Sequence, residues 1–462
     1  MDPSTPFSGS AAVYDWISGF INMERNMNLR SFRLDRMKIL ADLARNPESC
    51  APAIHLAGSK GKGSVTGMIA AILNQAGYKC GCYASPHVMD FRERLSLGKT
   101  FFNEDIYHKA GKELREIIET VISKDESKYA LFNPETAAGI EPTFFELMTL
   151  WFFLCSRAAK VAVMAVETGM GGRLDATNIL DPVASVITLI ELEHTEYLGN
   201  TIGAIAKEKA GIIKPRRVVI AAKQNDDALE VFRQKALEVK SPFFYFPDWG
   251  EIDSVKIQKQ GTSFSLKLKD PKDGSLHFYK DLFFPIPGEV QAENAGLALL
   301  AVKTAYPEID ESIAGKALAD FSIPGRFQRV MSEPLLIIDG AHTYKSAENC
   351  VKTFTALYGD GGILTFGCAA GKDVAAMAGL FIRLFSRIII TAPGSFKKSS
   401  PEEIYNVFKQ KTSEMGVYPE LFFIPETEKA LKTALELGRE LSLPILGTGS
   451  FYLAAEFLKV YG

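Results

Sequence analysis

Short apolar runs alternate with longer stretches of helical periodicity along most of this chain. Ala53–Ala57, Lys79–Ala84, Val161–Val166, Ala184–Ile190 and Val218–Ala222 are nearly continuous in apolar residues. Strands buried on both faces of a parallel sheet read this way, because helices cover each side. Helical patterns lie between them at Ser64–Gln75, Glu104–Ile122, Thr143–Arg157 and Thr201–Ala210, and residues 1–50 are mainly helical as well. Residues 251–284 break the rhythm. There Val255 and Ile257, then Phe264, Leu266 and Leu268, alternate with polar neighbours, and Asp273-Gly274 offers a tight turn. That pattern predicts a β-hairpin or a small antiparallel sheet.

Past Ile323-Pro-Gly325 the chain resets to a clean strand–helix rhythm. Strands are expected at Leu335–Ile338, Gly362–Phe366, Arg387–Thr391, Leu421–Ile424 and Pro444–Leu446, with a helix ending the chain. The expected fold class is α/β in two domains. Residues 1–323 form a mainly parallel sheet plus the small antiparallel one, and residues 324–462 a Rossmann-like, doubly wound domain. A chain of 462 residues has room for both.

Composition narrows the class. A hydrophobic share of 47% with 23% charged residues is that of an ordinary globular protein. The net charge of −3 argues against a nucleic-acid binder, which is normally basic. No apolar run approaches the roughly 18 residues that would cross a bilayer. The opening Met1-Asp-Pro-Ser-Thr-Pro-Phe7 lacks a basic segment followed by an apolar core, so no signal peptide is expected. Six scattered cysteines read as reduced thiols of a cytoplasmic protein. Cys80 and Cys82 read as alternate positions on a buried strand rather than a metal site.

The strongest candidate chemistry follows the first strand, in His55-Leu-Ala-Gly-Ser-Lys-Gly-Lys-Gly-Ser64. A strand, a glycine-rich turn and a helix start in that order make a phosphate-binding loop. Gly58, Gly61 and Gly63 let several N–H groups face one anion, and the helix N-terminus adds partial positive charge. Lys62 reaches terminal phosphates and Ser64 is placed to ligand Mg²⁺. The loop is shorter than the usual pattern, since Leu56 stands where a first glycine is expected.

Four other constellations stand at strand ends or junctions. Glu167 ends a strand before Gly169, Gly171 and Gly172, where ligands of open α/β sheets bind, and is placed to ligand a nucleotide-bound metal. His194, among Glu191, Glu193 and Glu196, is either a divalent-metal ligand or a structural histidine. Arg326, in Ile323-Pro-Gly-Arg326, either contacts a nucleotide or belongs to the linker. Asp339 ends another strand and either accepts from a ribose hydroxyl or caps the next helix. Lys207 and Lys209 read, on their own, as cations complementing a helix C-terminus.

Together these runs resemble the folylpolyglutamate synthase/dihydrofolate synthase family of the Mur ligase superfamily. The resemblance rests on the phosphate loop, Ser85-Pro-His87 with Arg92-Glu-Arg94, Thr143-Phe-Phe-Glu146 and Gly171-Gly-Arg-Leu-Asp-Ala-Thr-Asn178. It continues through Glu193-His-Thr-Glu-Tyr-Leu-Gly199, Glu208-Lys-Ala-Gly-Ile212, Pro324-Gly-Arg-Phe-Gln328, Asp339-Gly-Ala-His342 and Gly449-Ser-Phe-Tyr452. It implies an ATP-dependent ligase that joins L-glutamate to the carboxylate of dihydropteroate or a folate, through an acyl phosphate. In that reading Gly58, Ser59, Lys60, Gly61, Lys62, Gly63 and Ser64 hold ATP phosphates, and Asn294, Arg326 and Asp339 contact the adenosine. Ser64, Glu167, His194 and a carbamylated Lys209 hold two Mg²⁺ ions, with Lys62, His194 and Lys209 catalytic. Ser85, Pro86, His87, Arg92, Arg94, Thr143, Phe145 and Glu146 border the pteroate or folate. His342 is assigned to the glutamate side; Thr343 stands where the family usually has asparagine, and Ser59-Lys60 where it usually has Thr-Asn. The implied partners are small molecules alone, on a monomer. The alternative is a Mur ligase for a UDP-sugar peptide, which would carry a UDP-binding domain before the phosphate loop.

Overall fold

A computed structural model describes residues 7–20, 22, 33–122, 142–395 and 397–462. Its first sheet has seven strands: β1 (Ala53–Ala57), β2 (Cys80–Tyr83), β3 (Leu95–Ser96), β4 (Val163–Glu167), β5 (Ala184–Ile187), β6 (Val218–Ala221) and β7 (Phe243–Tyr245). Their spatial order is β3-β2-β4-β1-β5-β6-β7, all parallel except β3. β1 is the central strand, flanked by β4 and β5, and all five of its residues are buried. Helices cover both faces, which is why these strands are apolar throughout.

The alternating region folds as three antiparallel strands, β8 (Gly250–Gln258), β9 (Gly261–Lys269) and β10 (Leu276–Phe284). Only β9 hides most of one face, burying Phe264, Leu266 and Leu268. The remaining six strands form the third sheet: β11 (Gln328–Ser332), β12 (Leu335–Ile338), β13 (Gly362–Phe366), β14 (Phe385–Ile390), β15 (Glu420–Phe423) and β16 (Ile445–Thr448). The order is β11-β12-β16-β13-β14-β15, with only the edge strand β11 antiparallel.

One apolar cluster fills the side of the first sheet that carries Ile54 and Leu56 and runs on to Leu364 and Phe366 of the third sheet. A second, rich in aromatics such as Tyr107, Trp151 and Phe152, fills the other side of the first sheet. Because successive strand side chains alternate faces, Ile54 and Leu56 enter one cluster while Ala53 and His55 face the other. The C-terminal ends of β1, β4 and β5 and those of β12, β13 and β16 open onto one cleft of about 2100 Å³.

Candidate active site

The phosphate loop is fixed before any ligand arrives. Gly58, at φ +153°, leaves β1 so close to Thr188 that an added Cβ would lie 1.8 Å from its Oγ1. Only glycine fits there. The N–H groups of Ser59 and Lys60 both donate to Leu189 O, at 2.9 and 3.1 Å. Gly61, at φ +87°, lies against Asn294, whose Oδ1 would be 2.5 Å from an added Cβ. The helix opens at Lys62, two residues before the expected Ser64, and runs to Gln75. Its first-turn N–H groups have no intrahelical acceptor and carry the positive end of the dipole. Lys62 Nζ rests on Gly58 O at 2.8 Å, and Ser64 is buried in that first turn.

Glu167 ends β4 directly beside this helix start. A Cβ on Gly63 would lie 3.4 Å from Glu167 Oε2, which also accepts from Ser85 N at 3.3 Å. Burial pushes the Glu167 carboxyl up to about 7, only partly offset by Lys62. His194, at φ 48°, stands at the start of the turn Thr195–Leu198. Its ring is open to solvent within the cleft, yet desolvation by the cleft walls pushes it down to about 4. It is therefore a neutral imidazole with a lone pair to give at neutral pH.

Behind the loop, Lys209 ends the helix Ile202–Lys209 with its side chain only 1% exposed. Its ammonium donates to Gly58 O at 2.7 Å and Glu193 Oε1 at 2.9 Å. Burial, then Lys62, pushes Lys209 down to about 8. For Glu193 burial works the other way, but Lys62, Lys209 and Lys60 outweigh it and hold the carboxyl at about 2. Lys209 is the least exposed lysine of the site and faces the loop carbonyl rather than solvent, unlike an ordinary helix-end cation.

The third sheet supplies the opposite wall. Arg326 lays its guanidinium 4.3 Å from the Phe451 ring centroid. Burial lowers the Arg326 pKa against the pull of Asp339 and Glu167. Asp339 accepts from Ala341 N at 2.8 Å and Phe327 N at 2.9 Å, and burial raises its carboxyl. His342 pairs Nδ1 with Gly340 O at 2.9 Å; a carbonyl can only accept, so Nδ1 carries the proton and Nε2 is left as an acceptor. Burial, with Lys60 and Lys372 nearby, pushes that ring down to about 3.

The cleft thus brings together the loop from Ser59 to Ser64 with Glu167, His194, Asn294, Arg326, Asp339 and His342. It also reaches Ser85, Pro86, Thr143, Phe145 and Glu146. Gly58, Lys209, His87, Arg92 and Arg94 are not among its lining residues. Arg92 is engaged by Asp90 and Glu104, while buried Arg94 donates to His87 Nδ1 at 2.8 Å. Glu146 closes the capping box of Thr143 and takes Arg36 Nε on both oxygens at 2.9 Å. Sequence reasoning missed Arg36, and also Lys345, Lys372, Lys397 and Lys398, which bring four cations from the third-sheet half to the cleft. The run Gly371-Lys372 just after β13 was the available signal, a glycine-lysine pair at a strand's C-terminal end.

Among the described residues no three His, Cys, Asp or Glu side chains converge on a metal site. A magnesium ion does not need them. It keeps several waters and is held by one or two carboxylates plus substrate phosphates. Glu167, buried and under-compensated beside Ser64 at an anion-binding helix start, fits that demand.

The middle domain of Mur ligases matches residues 56–302, and the Mur ligase glutamate ligase domain matches residues 325–450. The chain is 33% identical over 325 residues to the dihydrofolate synthase/folylpolyglutamate synthase of Bacillus subtilis (strain 168), covering 69% of this chain and 71% of that one. It is 30% identical over 426 residues to the folylpolyglutamate synthase of Lacticaseibacillus casei, covering 91% and 92%. The Mycobacterium tuberculosis folylpolyglutamate synthase complexed with ADP and AMPPCP superposes with a TM-score of 0.82 at 27% identity, over 93% of this chain and 95% of that one.

Proposed function

The chain belongs to the folylpolyglutamate synthase/dihydrofolate synthase family of Mur ligases, and from that premise we propose how its own residues carry the reaction. It is an ATP-dependent ligase joining L-glutamate to the carboxylate of dihydropteroate, of a folate, or of both, with release of ADP and phosphate. The UDP-sugar peptide alternative is not favoured. One observation carries the assignment of parts. The phosphate loop with Ser64 and Glu167, and Arg326 with Asp339 on the third sheet, line a single cleft.

In this reading the acceptor carboxylate attacks the γ-phosphorus and ADP leaves. The amine of glutamate then attacks the acyl carbon, phosphate leaves, and the amine's surplus proton passes to solvent. The chain's task is positioning and charge neutralisation. Lys62 and the first-turn N–H groups hold the triphosphate. Asn294, Arg326 and Asp339 hold the nucleoside end. Ser64, Glu167 and neutral His194 would hold Mg²⁺, which offsets charge between carboxylate and triphosphate. Near neutral pH a fraction of Lys209 is an uncharged amine able to add CO₂ with loss of a proton; the carbamate oxygens would serve a second Mg²⁺.

Ser85, Pro86, Thr143, Phe145 and Glu146 border the acceptor, with His87, Arg92 and Arg94 holding that wall from behind. His342 faces the incoming amino acid. Residues 1–323 and 324–462 act as two domains closing on the cleft, which keeps water from the acyl phosphate. We place the protein in the cytoplasm as a monomer; among the described residues no helix is long and apolar enough to cross a membrane.

The test is glutamate- and ATP-dependent phosphate release with dihydropteroate and, separately, a reduced monoglutamyl folate, at saturating Mg²⁺ and bicarbonate. Release with either identifies the acceptor, and release with both makes the enzyme bifunctional. Release with neither overturns the reading.

A further inference from the structure

His55 sits at the middle of the central strand, fully buried, among apolar neighbours on both sides in sequence. Such a position suits Leu or Val, and an imidazole there needs a reason. Its Nε2 lies 2.8 Å from Thr177 Oγ1. Its Nδ1 is buried with no hydrogen-bond partner. A buried polar atom left bare costs about 1–3 kcal/mol, so packing does not explain this residue.

The bond it does make has a definite direction. Thr177 Oγ1 donates to Asp175 Oδ1 at 2.5 Å; burial raises the Asp175 carboxyl, and this bond, with the Thr177 and Met170 N–H groups, works against that rise. The hydroxyl has one proton, so it must accept from His55, which fixes the Nε2–H tautomer. Burial, then Lys214, pushes the ring down to about 3, so it is neutral at all working pH values. Asp175 is the far end of the relay. It also accepts from Thr177 N and Met170 N, both at 3.0 Å, and lines the cleft with Met170, Leu174 and Ala176. The same wall is bound to the end of the Lys209 helix, where Arg173 N donates to Glu208 O at 2.8 Å and Asn178 Nδ2 to Gly211 O at 3.1 Å.

We infer that His55 is a positioning residue for the ligase reaction, acting through the Thr177 hydroxyl to set the Asp175 carboxylate and the cleft wall Gly169–Ala176. The rigid central strand is thereby coupled to the acceptor border, because Gly169 of that wall lies against the Phe145 ring, where an added Cβ would be 2.4 Å away. The inference rests on the ligase reading above. The imidazole touches no reactant; its effect passes through the relay.

Steady-state kinetics on the full chain test it, with H55L, H55Q, T177V, T177S and the H55L/T177V double variant. His55→Leu and Thr177→Val each raise KM for the pteroate or folate acceptor about tenfold, the scale of one lost buried hydrogen bond, while KM for ATP stays within twofold. Gln presents an N–H near the Nε2 position and Ser keeps the hydroxyl, so H55Q and T177S recover most of the affinity. The double variant is no worse than either single variant, because both cut one relay. Equal losses toward ATP and acceptor, or additive losses, overturn the inference. Should H55L not fold, T177V against T177S decides alone. If the unaltered protein releases no phosphate with either acceptor, the ligase reading has failed, and unchanged acceptor KM in active variants overturns only the relay.

Discussion

Lys209 Nζ lies 2.9 Å from Glu193 Oε1, with the lysine side chain 1% exposed behind the phosphate loop and Glu193 15% exposed on the cleft wall. Carbamylation would turn that cation into an anion facing Glu193 and the Gly58 carbonyl. The ammonium–carboxylate pair and a carbamate would therefore exclude each other. Only the neutral amine adds CO₂, and its share rises with pH through about 8. A ¹³C-bicarbonate NMR spectrum is expected to show a carbamate resonance that grows from pH 7 to pH 9 and is absent in K209R. That variant keeps a cation for Glu193 but cannot be carbamylated. Its turnover is expected to fall at least ~100-fold, the scale for loss of an electrostatic group at the reacting centre. A fully active K209R would remove Lys209 from the mechanism.

Glu167 gives a pH signature of stability. Its folded pKa is raised to about 7 from an ordinary value near 4.5. A raised group contributes stability that is fully present below the unfolded pKa and lost as pH rises through the folded one. The window is therefore pH 4.5 to 7, and the penalty at its top is on the order of 3 kcal/mol. Glu167→Gln keeps the shape without the charge. The nucleotide-free E167Q protein is expected to melt higher than the parent at pH 8 and equally at pH 4.5, while losing Mg²⁺·ATP-dependent turnover. Parallel melting curves for the two proteins across that range would show that Glu167 is not the titrating group.

Much of this was legible because burial on both faces writes itself into sequence. β1, β12 and β13 occupy the residues that their apolar runs outline. The strands that escaped are edge strands: β3, only two residues long, and β7 and β11, half-covered and without a clear period. Three helices of eight residues or more, Asp226–Glu238, Glu289–Ala305 and Glu311–Ala319, also went unread, and the second carries Asn294 to the loop. The phosphate-loop helix starts two residues early because Gly61 takes the left-handed conformation and ends the turn there. At the site, local runs marked Glu167, Arg326 and Asp339. Partners distant in sequence left no local mark: Arg36 and Glu146 are 110 positions apart.

Arg326 and Phe451 predict a selective loss of nucleotide affinity. The guanidinium is stacked at 4.3 Å and balanced between Asp339 and Glu167. Stacking on an aromatic ring contributes about 0.5–2 kcal/mol. Phe451→Leu keeps apolar bulk against Gly340, where an added Cβ would lie 2.4 Å from the ring. It is expected to raise KM for ATP about fivefold and leave KM for the acceptor unchanged. Arg326→Lys keeps the charge but not the planar stack, so it should behave like F451L rather than like the parent. Isothermal titration with AMPPCP reads both, and parent-like affinity in R326K would assign the residue to charge alone.

Glu146 separates a structural from a substrate-binding role. Its carboxylate is 4% exposed, takes Arg36 on both oxygens at 2.9 Å, and accepts from Thr143 N at 2.7 Å. Burial raises its pKa, and Arg36 and the Thr143 cap work against that rise. Removing one member of a buried ion pair costs about 3–5 kcal/mol, whereas replacing both with apolar residues of similar size is often neutral. E146L is therefore expected to lower the denaturation midpoint sharply, and R36M/E146L to restore most of it despite losing the helix cap. If Glu146 serves only the wall, the double variant recovers acceptor affinity along with stability. If it recovers stability but not acceptor KM, the carboxylate itself meets the substrate, and the ion pair is its resting state.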